Sequence, residues 1–303
     1  MKPVQLTPQS LTSQLKSDQG LVLETGPFTT RIHTPIKHFS LFLQHLYADF
    51  PVAPPNTPAD FRIRLKPPPG LRHFIRPQVI FEHDGVRLFE PFPLSHAPPL
   101  FEWGLNWCIG TSAHQYLILH AAVLEKQGSA VIMPALPGSG KSTLCAALML
   151  SGWRLLSDEF GLVRADGLLA PLPRPIPLKN QSIGVIHDLW PHAILGPEFP
   201  NTRKGTVCHL QPSRESVARM QETATPKWIV FPRFRPGSPT ELKPLVPSYA
   251  LLKLATNAFN YEVLGPEGFV RIGRLIRQCR LFNFRYSHLP EALKTFDKLI
   301  EAG

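Results

Sequence analysis

The chain has 303 residues, 43% of them apolar, 34 prolines and a formal charge of +10, which excludes a disordered chain and favours anionic partners without choosing among nucleotides, nucleic acid and acidic lipid heads. Its four cysteines (Cys108, Cys145, Cys208, Cys279) match no metal-ligand spacing and read as reduced thiols. No stretch approaches the roughly 18 apolar residues of a membrane span, and "MKPVQLTPQS" holds no apolar signal core, so the expected compartment is the cytoplasm.

Residues 1–105 are expected to form a mixed α+β N-terminal part, and 106–303 a separate catalytic domain. In the first part, "GLVLETGPFTTRIHT" reads as a hairpin and "IKHFSLFLQHLY" as an amphipathic helix, followed by short strands in "DFRIRLK", "PQVIFEHDG" and "VRLFEP". Proline clusters such as "PVAPPNTPADF" disfavour helix and read as ordered connections. A helix is predicted over "LFEWGLNWCIGTSAHQYLIL" (100–119), its aromatics packing a core.

From His120 the pattern changes to strand, loop, helix, strand. "HAAVLEKQGSAVIMP" reads as a hairpin, "ALPGSGK" as a loop, "STLCAALMLSG" as a helix closed by Gly152, and "WRLLSDEFGLVRADGLLAPL" as a second hairpin turning at "RADG". Beyond it, "KWIVFPRF" reads as a strand, and "SYALLKLATNAFN", "EGFVRIGRLIRQCR" and "LPEALKTFDKLIEAG" as helices. Arg271, Arg274, Arg277 and Arg280 recur at three-residue steps and read as a solvated helix face open to partner docking.

The loop carries the chemistry. Residues 135–142 meet the pattern G-x-x-x-x-G-K-S/T except at the first position, which is Ala135. Glycines are needed there because backbone N–H groups must converge on phosphate oxygens, and an inward Cβ would block the approach. The apolar strand before the loop and the helix after it supply the required context. Pro137, Gly138, Ser139, Gly140, Lys141, Ser142 and Thr143 are therefore expected to hold the phosphates of ATP, with Lys141 bridging the β- and γ-phosphates and the Ser142 hydroxyl on Mg²⁺.

Asp158 and Glu159 follow at the end of "WRLLSDEF". Neighbouring side chains of a strand point to opposite faces, so the pair cannot share one task unless the strand ends or bulges there. An acid beside bound phosphates either holds Mg²⁺ or takes a proton from an attacking hydroxyl, and the residues leave open which of the two is the base. Lys204, on a loop before the strand "TVCHL", is a candidate phosphate clamp that would stabilise charge in the transition state.

The run "GKSTLCAALMLSGWRLLSDE" resembles the core of HPr kinase/phosphorylase, in which an acidic pair follows the loop helix at this short distance. "HAA" at His120 and "KNQSIGVI" extend the resemblance over about 115–210. "PLFEWGLNWCIG", "LILHAAVLE", "PGSGKSTLCAAL", "NAFNYEVLG" and "FRYSHLPEALKTFDKL" are similar to the divergent HPr kinase-related "kinase A" subgroup over nearly the whole chain. The resemblance implies an α/β fold with a P-loop core of the HPr kinase/PEP carboxykinase-like type and a mixed α+β N-terminal part. It also implies ATP and Mg²⁺ as cofactors, a homo-oligomer, and ATP-dependent phosphotransfer to a serine or other hydroxyl of a protein, peptide or small molecule. In that reading Asp158 serves the acceptor hydroxyl, Glu159 joins Ser142 and Asp158 at the metal, and His120 supports the acid. Where the family has Glu-x-Arg-Gly, this chain has Lys179-Asn180-Gln181-Ser182, so phosphorolysis and HPr itself as substrate are not expected. The altered stretch also allows an ATP-binding switch or scaffold that docks a partner in a protein-sorting or modification system without transferring phosphate. Nucleic acid is not an expected partner, because the basic residues are scattered and no binding motif occurs.

Overall fold

Phe61–Lys66 buries Phe61, Ile63 and Leu65 and turns Arg62 and Arg64 to solvent, the alternation of a strand with one wet face. It belongs to the first of two compact units in the computed structural model, which describes residues 1–69, 76–136 and 138–301. The first unit comprises Met1–Ser112 with Ile194–Gln211, and the second Ala113–Ala193 with Pro212–Gly303.

Among the described residues, the first unit holds a seven-stranded sheet. The hairpin Leu21–Thr25/Phe28–His33 forms as expected, and Phe28–His33 then pairs parallel with Phe61–Lys66. That strand continues antiparallel into Gln78–His83. The helices Lys37–Leu46 and Ala97–Ser112 meet through Phe39, Phe42 and Phe101, whose rings lie 5.3–6.5 Å apart, and Tyr47 Oη donates to the buried Glu102 at 2.6 Å.

The helix expected over 100–119 differs from the one observed. It starts at Ala97, with prolines in its first turn where no intrahelical N–H is required, and ends at Ser112. Leu117, Ile118 and Leu119 open the next strand instead. The boundary expected after 105 falls inside this helix, and residues 194–211 return to the first unit.

The second unit is built on the strand Leu117–Lys126. It turns through Gln127 and Gly128, both at positive φ, into the antiparallel strand Ser129–Pro134, the tight hairpin connection that suits twisted strands. Ser129–Pro134, Thr225–Phe234 and Arg280–Tyr286 then run parallel in that order, with Glu241–Pro244 antiparallel at the outer edge. On its other flank Leu117–Lys126 pairs with both Arg154–Ser157 and Phe160–Val163. Eight strands make this sheet among the described residues, and its alternation explains the layers. Leu119, Ala121, Ile132 and Ile229 pack under the helices Pro247–Thr256 and Pro266–Gln278 through Ala250, Leu254, Ile272 and Leu275. Phe284 meets Phe296 of the helix Leu289–Glu301 at 5.4 Å. The architecture is mixed α/β with mixed parallel and antiparallel sheets. Among the described residues no helix is long and apolar enough to cross a membrane.

Two buried charges pin this unit. Arg154 Nε stands 2.5 Å from Glu125 Oε2, each side chain 2% exposed, and its guanidinium also donates to the carbonyls of Arg219 and Glu222. Arg271 corrects the expectation of a solvated arginine face: it is buried, bonds Glu267, and donates to the carbonyl of Gln115 at 2.8 Å. Arg274 likewise donates to the Ala165 carbonyl, and Arg280 begins a strand. Docking backbone carbonyls onto this helix competes with solvation, and three-residue spacing alone does not reveal it.

Candidate functional site

Residues 135–140 link the strand Ser129–Pro134 to the helix Lys141–Leu150. Gly138 and Gly140 hold φ of +82° and +83°, a region closed to most side chains. A Cβ on Gly140 would lie 2.5 Å from Tyr286 Oη and 2.7 Å from Phe234 Cβ, and the same Tyr286 hydroxyl donates to the Gly140 carbonyl at 3.0 Å. Ala135, the departure from the glycine pattern, is buried and is absent from the positive-φ positions, so its methyl is compatible with the backbone. Pro137 lies outside the described residues.

Asp158 and Glu159 sit where regular pairing stops. Ser157 pairs with Val123 and Phe160 with His120, and the register shifts between Leu155 and Ser157. That break frees the two acids from strict alternation. Asp158 turns inward, 4% exposed, and receives Lys141 Nζ at 3.0 Å on Oδ1 and Ser142 Oγ at 2.7 Å on Oδ2. Lys141 donates to the Asp158 carbonyl as well. Burial alone would lower the Lys141 ammonium, but the charges of Asp158 and Glu159 raise it above its ordinary 10.5.

Glu159 points elsewhere. Its Oε2 is 3.6 Å from His120 Nε2, the two side chains 27% and 25% exposed. Burial pushes its carboxyl up, but the contact with His120 and the charges of Lys141, His120 and Lys179 outweigh this and hold it well below the usual carboxylate range. His120 is fixed from behind. The segment 257–260 bonds along the strand end, with His120 N donating to the Asn257 carbonyl at 2.7 Å and Phe259 N to the Ile118 carbonyl at 2.9 Å. The buried Asn260 accepts from Ile118 N and donates to the Tyr116 carbonyl. The Phe259 ring, half exposed, lies 5.5 Å from the His120 ring and 5.0 Å from Phe160.

Of the residues singled out in the sequence, Gly138, Ser139, Gly140, Lys141, Ser142, Thr143, His120, Asp158 and Glu159 all belong to the second unit. Contacts join Lys141 and Ser142 to Asp158, and His120 to Glu159. Lys204 belongs to the first unit, where its ammonium lies 5.8 Å from the Trp103 ring. Lys179, Tyr286, Phe259 and Asn260 were not proposed for the site. Lys179 carries a signal, the reversed charge in "KNQS", and Phe259, Asn260 and Tyr286 lie in the family-similar runs "NAFNYEVLG" and "FRYSHLPEALKTFDKL", although their contacts with the site are long-range.

Among the described residues no group of three or more His, Cys, Asp or Glu side chains could hold a metal ion. Ser142 Oγ and Asp158 Oδ2 nevertheless form a hard-oxygen pair 2.7 Å apart, the donor type Mg²⁺ takes from a protein when phosphates and water complete its shell. Compared with protein-family profiles and with curated proteins, the chain matches none.

Proposed function

We propose that the chain is an ATP-dependent phosphotransferase with a hydroxyl acceptor, built on a P-loop core of the HPr kinase-like type. The observation that carries this reading is the convergence of Lys141 and Ser142 on Asp158, at the start of a helix entered through two positive-φ glycines. Backbone N–H groups of the loop and helix start, with the Lys141 ammonium, would cradle the phosphates. Transfer of a phosphoryl group asks mainly for positioning and electrostatic stabilisation, and these residues supply both.

Ser142 and Asp158 would hold Mg²⁺, which neutralises charge on the phosphate oxygens and orients them. This geometry favours a division of labour between the acids. Asp158, enclosed by Lys141 and Ser142, suits the metal side, whereas Glu159, partly exposed beside His120, suits the acceptor side. His120 orients the Glu159 carboxylate, and the acceptor proton would pass to that pair. The family resemblance implies Asp158 for the acceptor hydroxyl, whereas the partners of the two acids favour Glu159 for that role.

The test is purified protein with Mg²⁺ and γ-labelled ATP, alone and with lysate of the native host. Label should move to an acceptor with the wild type and stay on ATP with Lys141→Ala and Asp158→Asn. ATP binding without movement of label under any condition would replace the kinase with a nucleotide-binding switch.

A further inference from the structure

In strand order, the acids lie on the flank of Leu117–Lys126, while the other neighbours of Ser129–Pro134 are Thr225–Phe234 and Arg280–Tyr286. On that second side, a groove of about 930 Å³ is lined by the loop residues Ala135, Gly138 and Ser139. It sits at the carboxyl ends of parallel strands, the usual crevice for ligands in α/β sheets.

The lining is charged unevenly. Arg233, Lys243, Lys253 and Arg285 face a single carboxylate, Glu241. Glu241 is already taken, 2.5 Å from Arg285 and 3.1 Å from Lys243. Among the described residues no ion pair involves Arg233 or Lys253. Half-buried Lys253 rests instead on the rings of Phe231 and Tyr249, at 4.7 and 5.3 Å, with Asn283 Oδ1 at 3.3 Å. Burial and the neighbouring Arg233 charge push its ammonium below the ordinary 10.5. Two further lining atoms, Ser139 Oγ and Arg285 Nε, are buried without a hydrogen-bond partner. Like charges gathered in a concavity repel, and unmet buried donors cost free energy. An anion in the groove relieves both.

We propose that Arg233 and Lys253 form a phosphate subsite in this groove, distinct from the amides of the glycine loop. The phosphate can come from two sources. One is the nucleoside-side phosphate of a nucleotide seated on the loop, and this source rests on the function proposed above. The other is a separate phosphorylated small molecule, which does not.

Calorimetric titration of the full chain separates these cases, with inorganic phosphate, AMP and ATP–Mg²⁺ as probes against wild type, Arg233→Gln, Lys253→Gln, the double variant and Lys141→Ala. Loss of one charge-assisted contact should raise the Kd of a phosphate probe about tenfold in each single variant. Arg233→Lys should retain most of the affinity. If inorganic phosphate is displaced by AMP and ATP, the subsite serves the nucleotide; if it still binds under saturating ATP and is lost in the double variant, it serves a separate ligand. The proposal falls if every probe binds the double variant as it binds wild type, or if wild type binds none. Should Lys141→Ala alone abolish ATP binding, and the double variant bind inorganic phosphate as wild type does, the loop reading survives while this one fails. Should wild type bind phosphate but no ATP, with phosphate lost in the double variant, the reverse holds. Arg233 is exposed, so an unchanged Tm of its variant shows that a loss of binding is not a loss of fold.

Discussion

Ser142 Oγ donates a 2.7 Å hydrogen bond to Asp158 Oδ2 while Lys141 occupies Oδ1. One carboxylate therefore ties the first turn of a helix to the break between two strands. Removing Lys141 or Asp158 leaves the charge of the other buried without its partner.

The Lys141–Asp158 pair is buried to 7% and 2% exposure. Breaking such a pair from one side costs about 3–5 kcal/mol, whereas removing both charges costs much less than the sum. Urea unfolding of Lys141→Met, Asp158→Asn and the double variant should show this non-additivity. Strictly additive losses would mean the two charges are not coupled.

Glu159 has a depressed folded-state carboxyl relative to its ordinary 4.5. A group of this kind contributes stability that is present above its unfolded pKa and is lost as pH falls through the lower folded value. Wild type should therefore hold an advantage over Glu159→Gln at neutral pH that persists to about pH 4.5 and disappears only in stronger acid. Tm recorded against pH for both proteins gives the result; parallel curves down into that acid range would refute it.

Gly140→Ala forces a methyl against Tyr286 and Phe234 at φ +83°. Strain of this kind costs on the order of 1–3 kcal/mol, and the contact also disturbs the hydrogen bond from Tyr286. Gly138→Ala shares the positive φ but meets open space, so it should lose less stability. Denaturation midpoints of the two variants should differ in that order.

Asn260→Ala deletes the two side-chain hydrogen bonds that reinforce the backbone bonds holding segment 257–260 to the strand end at His120. The buried Ile118 amide and the part-buried Tyr116 carbonyl lose their partner, a buried unmet group costing about 1–3 kcal/mol. Stability should fall by roughly 2 kcal/mol or more, and Asn260→Asp should recover only part of it, since a carboxylate cannot donate to Tyr116. Equal stability of Asn260→Ala and wild type would remove the Asn260 side chain from the support of His120.

Local signals were legible where local chemistry decides. The "KQG" turn, the glycine that closes the loop helix, and the strand–loop–helix order all follow from backbone preferences and appear where expected. The acid pair was legible as a conflict with strand alternation, and the fold resolves it with an interruption of the ladder. Only Arg280 of the strand Arg280–Tyr286 falls in an expected element, the end of a helix, because the parallel partner of this strand lies some fifty residues upstream. Arg271 was read as solvated because carbonyls from distant turns, not its helix neighbours alone, satisfy it. Lys204 is expected at the phosphates from its charge and its loop position, and the Trp103 ring on which its ammonium lies is remote in sequence.

Leu117–Lys126 is bonded on both sides. Ser129–Pro134 and the segment 257–260 share one edge, and Arg154–Ser157 with Phe160–Val163 share the other. Amides in such a strand exchange with solvent only when most of the unit opens. His120 thus rides on a stiff rail, whereas the described loop residues are held by glycine torsions, the Tyr286 hydroxyl on the Gly140 carbonyl and the Phe234 amide on the Ser139 carbonyl. The two halves of the candidate site are fastened by different means, the histidine edge by ladders on both flanks and the loop by contacts from Phe234 and Tyr286, so a guest must adapt to the histidine edge.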